Sequence, residues 1–134
     1  QHMEFDKKYI VWALAYAIAG MGLGIYMAAS QEHGQHVTHA HLLLLGFVAS
    51  VIYGVIHKLW LDVHRPAMAA AQLIAHQLSV LVMCTGLFLL YGGLVPAASL
   101  EPILAVASIA VLLGAVLMLR MVLSSRGSAW GGIQ

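Results

Sequence analysis

Four stretches of the chain stay apolar over about 20 residues, the length an α-helix needs to cross roughly 30 Å of hydrocarbon at about 1.5 Å per residue. They fall at about Tyr9 to Ala29, His39 to Leu61, Pro66 to Tyr91 and about Pro102 to Leu123. Polar and turn-forming residues separate them: Ser30 to Thr38, the break at Arg65-Pro66, and Gly92-Gly93 followed by Pro96. Connections this short predict antiparallel neighbours. The pattern therefore predicts an all-α, integral membrane four-helix bundle with up-down topology, a single domain over 4–134. Gln1-His2-Met3 reads as a cloning remnant ahead of a native start at Met3 and is set aside. The first apolar stretch is too long for a signal-peptide core and lacks a small-residue cleavage site, so it reads as a retained span.

Composition agrees with the pattern. Of 134 residues, 62% are hydrophobic and 8% charged, leaving too little polar surface to cover a soluble core of this size. Lys7, Lys8, Lys58, Arg65, Arg120 and Arg126 all fall on one side of a four-span arrangement. Cytoplasmic loops retain lysine and arginine, which puts both termini in the cytoplasm and the chain in a plasma (inner) membrane as a multi-pass protein. No basic stripe suits nucleic acid, no glycine-rich loop suits phosphate, and no Ser-His-Asp motif suggests hydrolysis. No Asp or Glu lies inside a span, which gives ion pumping little to run on. The single cysteine, Cys84, excludes an intrachain disulfide and a cysteine-rich zinc site.

Small residues recur at four-residue spacing: Gly20, Gly24 and Ala28, then Gly46, Ser50 and Gly54, then Ala110 and Gly114. Such rows let helices approach closely, within a bundle or between protomers, or make room for a flat cofactor.

Histidine is scarce inside membranes because its ring must find a partner there. His39 and His57 lie 18 residues apart, five whole turns, so they share a face of the second helix about 27 Å apart. Gly46, Ser50 and Tyr53 fall near that face, while His41 points roughly opposite His39. His76 is the most deeply placed histidine, within the polar group Gln72, His76, Gln77 and Ser79. It reads either as a helix-packing hydrogen bond or as an axial ligand of a haem iron, since a neutral ring nitrogen donates to iron while the other N–H is held by an acceptor. The run His33-Gly-Gln-His36-Val-Thr-His39-Ala-His41, with Glu32 beside it, offers copper or zinc ligands, His36 and His39 sharing a face at i and i+3. Its alternative is a solvated loop. His57, beside Lys58, is a snorkelling polar tip or a ligand, and His64 an ordinary loop residue.

The string His39-Ala-His41-Leu-Leu-Leu-Leu-Gly46-Phe, continuing to Tyr53-Gly54-Val-Ile-His57, resembles helix two of the haem-copper oxidase catalytic subunits, especially the nitric oxide reductase and cbb3-type branches. It is also similar to short four-span proteins related to that superfamily. The resemblance covers about helices one to three. It implies a low-spin haem with His39 as one axial ligand, and His41 takes the place of an asparagine. Ile56 and His57 stand where the large enzymes carry a tyrosine pair. The later helices that supply their second ligand and binuclear centre have no counterpart here, so oxygen or nitric oxide reduction is not implied. The second ligand would come from His41, a neighbouring loop or another protomer.

Three functions follow as expectations. The first is a haem b-binding, cytochrome-like membrane protein for electron transfer or haem or gas sensing, with His39, His41, His57 and His76 as candidate cofactor-binding residues. It would be a homo-oligomer, with a dimer favoured, and would meet an electron-transfer partner. The second is a copper- or zinc-binding or transport protein using His33, His36, His39 and His41, with Met21, Met27 and Met83 as soft ligands. The third is an accessory subunit without a cofactor, its histidines joining helices by hydrogen bonds.

Overall fold

The computed structural model describes residues 5–61 and 65–125. Gln1-His2-Met3, His64 and Arg126 lie outside the described residues. Four helices are long and apolar enough to cross a membrane: α1 (Phe5–Ser30), α2 (His36–Leu59), α3 (Pro66–Tyr91) and α4 (Ala97–Ser124). No strand occurs among the described residues.

Local chemistry sets most of the ends. In α1 the Asp6 carboxylate sits in the first turn, where the helix dipole favours negative charge. The helix closes at Gln31, whose φ of 61° is left-handed and whose side-chain amide donates to Ala28 O at 2.8 Å. Pro66 opens α3 at the position where a missing N–H costs nothing. Gly93, at φ 67°, ends it by returning its N–H to Leu90 O.

Three helix starts lie earlier in the chain than the apolar pattern predicts. α1 begins at Phe5 rather than Tyr9, α2 at His36 rather than His39, and α4 at Ala97 rather than Pro102. Hydropathy marks where lipid contact begins, whereas helical hydrogen bonding runs on into polar turns. Pro102 lies inside α4, where its ring removes only the bond to Ala98 in the first turn.

The pattern also gives no sign of a seven-residue π-helical stretch, Leu42–Val48, in the middle of α2. There the Ala49 N–H bonds to Leu44 O, five residues back. The return to four-residue bonding at the α-helical Ala49–Leu59 skips one carbonyl, at Leu45.

Glycines let α1 and α2 interlock. A Cβ on Gly20 would stand 2.7 Å from Leu43 Cδ2, and one on Gly46 would run into the Tyr16 ring. Gly54 lies against Asp6 O and Tyr9. At the far end of α2, Gln35 donates to Phe88 O at 3.0 Å, fastening the start of α2 to the end of α3. α3 is the most enclosed helix and α4 the least. Phe5, Leu61, Ala69, Met118 and Met121 form an apolar cluster at one end of the bundle. The outer surface is dominated by large apolar side chains such as Ile18, Ile25, Val106 and Leu123, the surface lipid would cover.

Candidate functional site

The histidines form two groups that differ in what holds each ring. The first surrounds the start of α2. Gln35 accepts from Thr38 Oγ1 at 2.7 Å while its amide reaches α3, so the first turn of α2 is braced from two sides. On that turn, His39 Nδ1 lies 2.9 Å from Gly20 O of α1. A carbonyl only accepts, so Nδ1 carries the proton and the Nε2 lone pair is left free. Gly24 makes room for the ring: a Cβ there would stand 3.0 Å from His39 Cε1. His41 Nδ1 meets Val37 O at 2.8 Å within its own helix, and His36 Nδ1 meets His33 O at 3.0 Å. Each of these rings likewise keeps its Nε2 lone pair. His33 and His36 are exposed, whereas His39 and His41 are half-buried.

The outer histidines are near in sequence without converging on one point. Among the described residues, no group of three or more His, Cys, Asp or Glu side chains is placed to hold a metal ion. Of the methionines named as soft ligands, Met21 is exposed, Met27 is buried in α1, and Met83 packs in an apolar cluster with Leu87 and Ala107.

The second group lies inside the bundle toward the other end. His76, on α3 and 1% exposed, directs Nε2 to Leu45 O at 3.1 Å, a carbonyl within the π-helical stretch. Here Nε2 carries the proton and Nδ1 is the lone pair, the reverse of His39. The ring edge packs against Tyr53, with centroids 5.0 Å apart. His57 is 7% exposed, its ring stacked on both Phe5 and Tyr9 at 5.5 Å. Tyr9 donates its hydroxyl hydrogen to Gln72 Oε1, and Gln72 donates to Gly114 O of α4 at 3.2 Å. Gln77 donates to Ser50 Oγ at 3.0 Å, and its main-chain carbonyl accepts from Tyr16 OH at 3.3 Å.

The structure thus brings His57 and His76 into one interior cluster and leaves His39 and His41 outside it. His39 and His57 both meet α1, at Gly20 O and at Phe5 and Tyr9, although the π-helical stretch between them departs from the regular turn on which a shared face was expected. Tyr9, Phe5 and the Gly20 carbonyl join the two groups without any mark in the histidine pattern. An aromatic near the start of an apolar helix is ordinary, and a backbone carbonyl has no sequence signature. Comparison with known protein families, characterised proteins and solved structures returns no match.

Proposed function

We propose that the protein binds b-type haem at the membrane through His39 and serves electron transfer or haem or gas sensing. The observation that carries this reading is the Nδ1–H bond from His39 to Gly20 O. It fixes the ring and its tautomer and leaves Nε2 as a donor, the arrangement an axial imidazole requires. A porphyrin brings four nitrogens of its own and asks the protein for only one or two. A copper or zinc ion asks for three or four converging ligands, which the outer histidines do not supply. This difference favours haem over a simple ion.

His39 fits the group, with Gly24 giving its ring clearance. His76 suits it less: its free nitrogen, Nδ1, is fully enclosed, and Tyr53 packs against the ring. When bound, the haem would supply a one-electron couple. The chain's own part is to orient one imidazole. A homodimer in which another protomer gives the second ligand would complete the site. The likeness of His39-Ala-His41 to helix two of the haem-copper oxidases points the same way.

The same reading places the four helices antiparallel in a plasma (inner) membrane with both termini cytoplasmic. In support, Phe5 near the start of α1 stacks on His57 near the end of α2, while Gly24 lies beside His39. Lys7, Lys8, Lys58, Arg65 and Arg120 all lie at or near the ends joined by the Phe5 and Met121 cluster.

The test is a reduced-minus-oxidised visible spectrum of the detergent-solubilised protein with a pyridine haemochrome assay. Sharp α and β bands that vanish in His39→Ala are expected. A colourless protein prepared with ample haem would overturn the reading.

A further inference from the structure

Among the described residues, Arg120 is the one lysine or arginine placed inside a helix beyond its terminal turns. It lies on α4, the helix least enclosed by the bundle. Val116 at i−4, Leu123 at i+3 and Ser124 at i+4 share its face, with Leu119 beside it. All five side chains are exposed and line an open hollow of about 330 Å³. Two kinds of internal partner that an arginine near a helix end can take are already engaged. Met121 O and Val122 O accept from the Ser124 and Ser125 hydroxyls at 3.3 and 2.8 Å. Asp6, the one described carboxylate at this end, accepts from the Lys7 N–H at 2.8 Å, and Glu32 and Glu101 lie toward the other end.

An arginine stays charged, and a charge at the margin of hydrocarbon is costly until an anion meets it. Its planar fork pairs with two oxygens of one phosphate. The rest of the hollow is chiefly aliphatic, from Val116, Leu119 and Leu123, a surface that suits an acyl chain and offers nothing to a free ion. The charge at this end has the complementary sign. By sequence position it carries Lys7, Lys8, Lys58, Arg65, Arg120 and Arg126 against Glu4, Asp6 and Asp62, and such an excess draws anionic headgroups. We propose that the α4 hollow binds one anionic phospholipid, whose phosphate rests on Arg120 while an acyl chain lies along Val116, Leu119 and Leu123. The negative end of the α4 dipole opposes a phosphate beside Ser124, so the guanidinium carries the contact. The site needs neither haem nor a particular face of the membrane.

Native mass spectrometry of the detergent-solubilised full chain tests this with dioleoyl phosphatidylglycerol, dioleoyl phosphatidylcholine and glycerol 3-phosphate. The wild type is expected to retain one phosphatidylglycerol at least about 5-fold more tightly than phosphatidylcholine, and Arg120→Gln to lose that preference. Arg65→Gln makes the same change of charge outside the hollow and is expected to keep it. Equal retention of the two lipids by the wild type would overturn the proposal, as would an unchanged preference in Arg120→Gln. An equal loss in Arg65→Gln would replace the site by diffuse surface charge, and displacement of the lipid by equimolar glycerol 3-phosphate would replace it by a free-phosphate site; either result overturns it too. If Arg120→Gln does not fold, Arg120→Lys serves in its place. It keeps the charge without the fork, so weaker phosphatidylglycerol retention is expected and unchanged retention would overturn the proposal.

Discussion

The start of α2 and the interior of the bundle use the same side chain in opposite ways. At its start, His39 spends its Nδ1–H on Gly20 O and leaves Nε2 free in a half-buried position. In the interior, His76 spends its Nε2–H on Leu45 O and holds Nδ1 among buried groups. One carbonyl partner decides each tautomer, and the surroundings of the remaining lone pair differ: half-buried at His39, fully enclosed at His76. The difference arises from the backbone. Gly20 lets Leu43 of α2 pack closely on α1, and the π-helical stretch releases the Leu45 carbonyl for His76.

This contrast predicts separable losses. The largest effect belongs to His39→Ala, which should remove all bound haem while the melting transition moves by no more than about 0.5 kcal/mol, because a half-buried ring with one hydrogen bond contributes little to packing. A parallel collapse of helicity would break the distinction between a ligand site and a structural site. Next comes Gly46→Ala, whose added Cβ would run into the Tyr16 ring. It should destabilise by about 1–3 kcal/mol in an unfolding titration in mixed micelles, and an unchanged midpoint would mean that α1 and α2 do not interlock at Tyr16.

His76→Ala should cost about 1–2 kcal/mol, through one lost interhelical hydrogen bond and a small cavity, and leave the haem spectrum intact. Loss of the spectrum with stability preserved would return the ligand role to His76. The smallest effect is at His36, exposed and bonded to a neighbouring loop carbonyl. His36→Ala should change stability by less than about 0.5 kcal/mol and leave haem binding unaltered. A large loss of bound copper or zinc on this change, measured by elemental analysis, would favour the metal-ion reading instead.

Much of the scaffold was legible in the chain. Pro66 and the Gly92-Gly93 pair punctuate α3 so sharply that its predicted limits, Pro66 to Tyr91, coincide with the helix. α4 was less legible at its start because Pro102 looks like an opening residue, yet proline is tolerated in an early turn. Of the stripe expected on the inward face of α2, Gly46 and Ser50 are buried and Tyr53 is half-buried. The site was legible only as a set of histidines. What separates them lies in Gly20 O and Leu45 O, backbone atoms present at every position, and in a π-helical stretch inside an ordinary-looking run of leucines. The stacking of Phe5 and Tyr9 on His57 joins residues some 50 positions apart in sequence, and no local pattern encodes it.

The central claim is that His39 holds haem iron, and a haem titration of the purified protein in nanodiscs tests it most directly. Following the Soret band, the wild type and His76→Ala should saturate with the same spectrum, while His39→Ala should show only the weak, unsaturable absorbance of haem dissolved in lipid. Saturable binding of the same low-spin spectrum by His39→Ala would contradict the account.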